Sequence, residues 1–137
     1  MNYFFVYGTL KRGEGNHHLI EHAEFVDVGY VRGCVLFDLG GCPAMMTGDF
    51  RSLMTDHVAK GEIYAVEDEH LDQTLASLDM LEQEGRMYLR AKLTVRSKEG
   101  FPYECTTYLF IPSLQSDNQI VDNGWWSGRD YTKVTEE

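Results

Sequence analysis

The stretch that most restricts the fold is Tyr88 to Arg96. Leu89, Ala91, Leu93 and Val95 alternate with Tyr88, Arg90, Lys92, Thr94 and Arg96, the two-residue period of a strand with one buried face. Lys98-Glu99-Gly100 reads as a turn, so Tyr103 to Ile111 returns antiparallel along it. Pro112 ends that second strand. Just before this hairpin stands the clearest helical pattern in the chain, from about Asp68 to Glu82. Leu71, Leu75 and Leu78 recur at i, i+4 and i+7 and form one apolar face. Asp68 is the expected N-cap, Glu69 suits the first turn, and Gly85 is the expected stop.

The other segments read mostly as strands. Tyr3 to Tyr7 is aromatic and β-branched, a buried first strand. It runs into Gly8-Thr9-Leu10-Lys11-Arg12-Gly13-Glu14-Gly15, a loop with three glycines. Asn16 is placed to cap a short helix through Leu19 and Ile20 to about Ala23. Phe25 to Leu39 is strand-like, with Gly29 and Gly33 marking bulges or bends that suit a curved sheet or small barrel. Gly40-Gly41-Cys42-Pro43 is a turn, Ala44 to Met46 a short strand and Gly61 to Val66 a longer one, while 47–57 is polar and unassigned. With no repeat and no linker, residues 1–137 are expected to form one domain. Its class is α+β, built on an antiparallel, barrel-like sheet. A chain of 137 residues buries roughly 68% of its unfolded surface, enough for a core without disulfides.

Charge and cysteines narrow the function. Twelve Lys+Arg against 22 Asp+Glu give a net charge of −10. Nucleic acid and anionic membranes both call for clustered basic residues, and here the basic residues are scattered. Cys34, Cys42 and Cys105 are odd in number and lack a CxxC spacing. Free, core-type thiols are therefore expected rather than a disulfide framework or a zinc ribbon. The first apolar run is too short for a secretion signal, and nothing approaches the ~18 apolar residues of a membrane span. A cytosolic protein is expected.

Two features can carry chemistry. The first is the glycine loop after the first strand, whose backbone N–H groups can bind an anion. Gly8-x4-Gly13 begins like a phosphate loop, but Glu14-Gly15 stands where that motif needs Lys and Ser or Thr. A carboxylate or carbonyl oxygen is thus a better guest than a nucleotide. The bland alternative is a plain turn with Lys11 and Arg12 on the surface. The second feature is Glu82, eleven residues after Leu71 and four after Leu78. At about 100° per residue it points within ~20° of Leu71, along the apolar face. Burial and the negative end of the helix dipole both disfavour its charged form. They move it toward the range of a general acid or base near neutrality. The alternative is a structural ion pair with Arg90 on the next strand. Glu84, off the apolar face, is expected to be solvated.

In this order the two features resemble the gamma-glutamylcyclotransferase superfamily. Val6-Tyr7-Gly8-Thr9-Leu10-Lys11-Arg12-Gly13, followed by Asn16-His17, is similar to the substrate loop of its gamma-glutamylamine cyclotransferase branch. Leu78-Asp79-x-x-Glu82, then Tyr88-x-Arg90, resembles the family's catalytic-glutamate motif. Gly61-Glu62-Ile63-Tyr64-Ala65-Val66 and Trp126-Ser127-Gly128-Arg129-Asp130 add weaker matches. The resemblance implies a small mixed β-barrel with flanking helices. The implied reaction cyclises a gamma-glutamyl group to 5-oxoproline and releases an amine or amino acid, with no metal or cofactor. It implies Glu82 as general acid/base. Tyr7, Gly8, Thr9 and Leu10 would bind substrate, and Tyr88 and Arg90 would support. The implied partner is a small gamma-glutamyl compound.

Two other classes of function remain at this level. His18-Leu19-Ile20-Glu21-His22 reads H-x-x-E-H; on a helix, His18 and His22 would share a face and could bind zinc with Glu21 as base. No third ligand stands out among His17, His57 and His70. The other class is a non-catalytic binding module of the same fold, with Trp125-Trp126 on its surface; the tryptophans are otherwise expected to pack against the barrel or close the pocket.

Overall fold

In the computed structural model, which describes residues 1–47, 57–111, 119–121 and 123–128, the opening aromatic run forms strand β1 (Asn2–Val6). Both faces of β1 are buried, so its sequence has no need of polar alternation. Phe5, with Tyr7 just beyond the strand, turns into one core; Phe4 and Val6 turn into another. The other strands of the main sheet are β2 (Glu24–Arg32), β5 (Val58–Val66), β6 (Tyr88–Ser97) and β7 (Pro102–Phe110). They close into a barrel in the order β1-β5-β2-β6-β7. The pairs are antiparallel except β1 with β7, which is parallel and completes the closure. A small second sheet has the order β4-β3-β8, from Pro43–Thr47, Cys34–Asp38 and Gln119–Ile120. The expected mixed barrel with one main helix is therefore present.

One core fills the barrel, with Phe5, Ile63, Val95, Cys105 and Trp126 among its members. The other lies between the barrel and α1 (Asp68–Glu82), where Leu78 packs with Phe4, Val6, Tyr64, Tyr88 and Tyr108. Leu78 is fully buried, and Leu71 and Leu75 are partly buried beside it. Burying a leucine fully is worth about 1.5–3 kcal/mol, so this face, rather than intrinsic propensity, holds the helix.

Details of the strand and helix ends differ from the sequence expectations. The run 25–39 is two strands, because Gly33 takes φ +79° and turns the chain from the barrel into the second sheet. The bulge in β2 falls between Phe25 and Asp27, not at Gly29. A Cβ on Gly29 would stand 2.8 Å from Ile63 Cδ1 and 2.9 Å from Val95 Cγ1, so that glycine makes room inside the barrel. Glu67, not Asp68, is the N-cap of α1; Asp68 accepts the Asn2 Nδ2 donor at 2.8 Å. The helix stops at Gln83, left-handed at φ 51°, before Gly85. After Asn16 only one 3-10 turn forms, His17–Ile20, and the Asn16 side chain donates to Thr9 Oγ1 instead of capping it. In β6 the inward alternation holds for Ala91, Leu93 and Val95 but fails at Leu89, which is 51% exposed. Cys34 and Cys105 are buried free thiols, as expected, whereas Cys42 is only partly buried. Pro112 and the stretch 48–56 lie outside the described residues. No described helix is long and apolar enough to cross a membrane.

The tightest backbone approach joins β1 to β5. A Cβ at Gly61 would lie 2.3 Å from the Val6 carbonyl oxygen, and backbone cannot yield as a side-chain tip can. Gly61→Ala is expected to destabilise the protein by about 2–3 kcal/mol, as overpacking at a rigid contact does. Gly15→Ala, with open space around the new Cβ, should change stability by less than about 0.5 kcal/mol. Denaturant unfolding of the two variants checks the contrast.

Candidate active site

β1 and α1 end at the same mouth of the barrel. Beyond β1 the chain turns through Gly8, Thr9 and Leu10, and their carbonyls are all occupied from within. Lys11 N–H donates to Gly8 O at 3.1 Å, and Asn16 N–H to Thr9 O at 2.9 Å. His17 Nδ1 bonds Leu10 O at 2.8 Å. Among the described residues no acceptor takes the N–H groups of Gly8, Thr9 or Leu10. The loop is fastened on its other side by Glu62, a buried carboxylate on β5. It accepts the Arg12 N–H at 2.9 Å and the Tyr64 hydroxyl at 3.0 Å.

Facing this loop is Glu82, the last residue of α1. The two meet across a narrow cavity of about 30 Å³, lined by Tyr7, Gly8, Thr9, Leu10, Glu82 and Tyr88 together with Cys42, Pro43 and Tyr108. That space is enough to admit water. The cavity thus gathers Glu82, Tyr7, the three loop residues and Tyr88. The Glu82 carboxylate makes no hydrogen bond or ion pair among the described residues. Burial alone pushes its pKa from the ordinary 4.5 up to about 7.

Arg90 stands apart from this group. Its guanidinium donates to Asp79 Oδ2 at 2.7 Å, and its backbone N–H to Glu84 Oε2 at 3.2 Å. The structural ion pair considered for Glu82 is therefore made by Asp79, one turn earlier. Glu84 is exposed, as expected.

Tyrosines frame the carboxylate. Tyr7 OH donates to the Tyr108 carbonyl at 2.6 Å, and Tyr108 OH to Asp79 Oδ1 at 2.6 Å. Tyr88 OH donates to Pro43 O at 2.7 Å and so holds the Cys42–Pro43 wall in place. Burial raises all three phenol pKa values, and the Glu82 charge adds to this. The phenols therefore stay protonated and act as donors. Sequence reasoning missed Tyr108, Cys42 and Pro43. Tyr108 was within reach, because it pairs with Arg90 in a hairpin register symmetric about Glu99. No comparable signal points to Cys42 and Pro43, which reach the cavity from the second sheet.

The zinc alternative does not find its geometry. His18 and His22 do not share an α-helix, since only His17–Ile20 is helical and that turn is 3-10. His22 Nε2 is 2.8 Å from Thr74 Oγ1. Among the described residues the one group of clustered ligand atoms is Glu67, Glu69 and His70, all exposed. It lies at the positive N-terminal end of α1, where a cation is disfavoured. Trp126 is buried in the barrel core, and Trp125 is partly buried; neither lines the cavity.

The comparisons with known proteins agree with this architecture. Residues 4–128 match the family model described as gamma-glutamyl cyclotransferase, AIG2-like. A gamma-glutamylaminecyclotransferase of Mus musculus is 31% identical over 139 residues, covering 85% of this chain and 89% of its own. The crystal structure of an AIG2-like protein from Mus musculus superposes with a TM-score of 0.64 at 33% identity, covering 80% of this chain and 76% of that one. The uncharacterised protein PH0828 from Pyrococcus horikoshii shares the fold, with a TM-score of 0.68 at 20% identity over 99% of this chain and 96% of that one. The chain belongs to the gamma-glutamyl cyclotransferase, AIG2-like family, enzymes of the gamma-glutamylcyclotransferase type.

Proposed function

We propose that this protein converts a gamma-glutamyl amine or gamma-glutamyl amino acid to 5-oxoproline and the free amine. Glu82 is the general acid/base in this reading. The observation that carries it is a carboxylate poised near neutrality that shares a cavity with three loop residues whose backbone N–H groups have no acceptor among the described residues.

The reaction asks little of a protein. The substrate brings its own nucleophile, the α-amine, which closes a five-membered ring on the γ-carbonyl. Holding the chain curled removes much of the entropic barrier. Glu82 takes a proton from the α-ammonium, and the amine nitrogen attacks the γ-carbon. Glu82 returns that proton to the leaving nitrogen as its bond to the γ-carbon breaks; the ring nitrogen gives up its second proton in the same exchange, so 5-oxoproline leaves with a neutral lactam N–H and the amine leaves as its ammonium ion. The N–H groups of Gly8, Thr9 and Leu10 hold the substrate's α-carboxylate or the developing oxyanion. Tyr7 walls the pocket. Tyr88 supports it through Pro43, and Arg90 through Asp79. The proline ring of the Cys42–Pro43 wall lies 2.7 Å from where a Gly8 Cβ would be, so wall and loop meet closely at that glycine.

Glu82→Gln keeps the shape of the side chain but cannot shuttle a proton. It is expected to fold and to lose about 10²–10⁴-fold in turnover, whereas Glu84→Gln stays within about twofold of wild type. The assay is 5-oxoproline release from gamma-glutamyl-ε-lysine, gamma-glutamyl amino acids, gamma-glutamyl polyamines and glutathione. Retained turnover in Glu82→Gln excludes the assigned role, and no product from any of the four classes excludes the reaction.

The same pKa shift has a sign in stability. A carboxylate raised from 4.5 to about 7 on folding stabilises the native state only while protonated. Wild type therefore loses stability as pH climbs through that window. At 1.36 kcal/mol per unit the ceiling is about 3 kcal/mol, and the side chain's remaining solvent contact lowers it. Glu82→Gln should match wild type at pH 4 and be more stable by about 1–3 kcal/mol at pH 8. Denaturant unfolding at the two pH values measures this, and equal stabilities at both would show an unperturbed Glu82.

A further inference from the structure

Lys11 is the first residue after the three loop amides, and only 1% of its surface is exposed. A lysine is almost never buried so fully unless its charge is met. Its Nζ donates to the Trp126 carbonyl oxygen. It also sits 3.9 Å from the centre of the Trp125 ring and 5.8 Å from that of Trp126, within cation–π range. Three residues on, the Glu14 carboxylate accepts the Gly128 N–H at 3.3 and 3.4 Å and the Ser127 hydroxyl at 3.4 Å. A Cβ on Gly128 would come 2.9 Å from the Trp126 ring and 3.0 Å from Glu14 Oε1, so this contact needs a glycine.

The segment that these two side chains grip is itself firmly seated. Trp126 is buried in the barrel core, and its Nε1 donates to Asp38 Oδ1 at 3.2 Å. Gly124 accepts the Lys60 N–H at 2.8 Å, and Val121 N–H donates to Leu36 O at 2.8 Å. The segment therefore joins β3 and β5 to the loop while contributing nothing to the cavity lining.

We propose that Lys11 and Glu14 anchor the loop amides of Gly8, Thr9 and Leu10 to the Trp125–Gly128 segment, which makes Lys11 a positioning residue for substrate binding. The inference deepens the reaction proposed above and rests on it for its kinetic readout. The physical content is preorganisation. The loop amides must be held in place before substrate arrives, and a flexible loop would pay that ordering on each binding event. Lys11 N–H already closes on Gly8 O; the buried ammonium fixes the same residue from the side-chain end.

The test is Lys11→Met, which keeps the apolar stem and removes the cation. KM is expected to rise about tenfold, with kcat within about twofold and an unchanged pH profile. Amide exchange at Lys11, Arg12 and Asn16, whose N–H groups close the loop, is expected to accelerate about tenfold while β6 and β7 keep their protection. Lys11→Arg, which retains a cation, should restore most of both. Where Lys11→Met fails to fold, Glu14→Ala at the half-buried end of the contact is expected to give the same pattern at smaller size. Unchanged KM, a fall in kcat alone, or loss of protection spread over the whole barrel would each overturn the proposal. Exchange is read without substrate. Local loosening of the loop in a protein that releases no 5-oxoproline would refute the reaction and leave the positioning role standing.

Discussion

The rest of the structure depends on strand β1 being buried on both faces. Phe5 packs inside the barrel while Phe4 and Val6 pack under α1, so one five-residue strand belongs to two cores. Its neighbours come close enough to require glycine, as the 2.3 Å separation at Gly61 shows. A strand fixed from both sides cannot slip in register, because a one-residue shift would exchange every contact between the two cores. The loop beyond the strand shares this rigidity. The chain leaves β1 at a defined point and height, and Gly8 to Leu10 inherit that position.

The helix brings the second half of the site by the same logic. Leu78 is fully buried and sets both the rotation and the depth of α1. Glu82 lies one turn further along the same face and is carried to the barrel mouth as a consequence. Among the described residues its carboxylate meets no partner to offset desolvation, while Asp79, a turn earlier, is met by Arg90 and Tyr108. Two acids on one helical face thus have opposite environments. The one without a partner among the described residues carries the raised pKa, the kind of perturbation that marks a candidate functional carboxylate. The arrangement is costly to stability above neutral pH, a local conflict of the kind found at functional sites.

Much of this was legible in the sequence, and the reason is periodicity. The α1 face, the β6–β7 hairpin and the phase of Glu82 all follow from repeats of 3.6 or 2 residues, which local physics imposes. The features that were not legible came from elsewhere in the chain. Gly29 reads as a bulge in isolation; that it makes room for Ile63 and Val95 is visible only once the barrel closes. Arg90 is on the same strand face as Tyr88, and sequence allowed it to reach Glu82. The geometry gives it to Asp79, because an exposed guanidinium takes the accessible acid rather than the one inside the cleft. The plain-turn alternative puts Lys11 on the surface, since lysine is a surface residue by default. Its burial depends on Trp125 and Trp126, more than a hundred residues away.

The composition of the cavity wall fits the role proposed for its single carboxylate. Among the described lining residues there is no lysine, arginine or histidine. An arginine beside the loop would hold a substrate carboxylate more strongly than backbone amides do. It would also stabilise ionised Glu82 and draw its pKa back toward the ordinary range. That would remove the proton affinity on which the proposed acid/base role depends. Backbone N–H groups bind an anion through dipoles, without placing a full positive charge near Glu82. The loop and the carboxylate are therefore matched. Neutral donors on one wall let the opposite wall keep its proton near pH 7, and the cation nearest the loop amides, Lys11, is turned away from the cavity and held against Trp125 and Trp126.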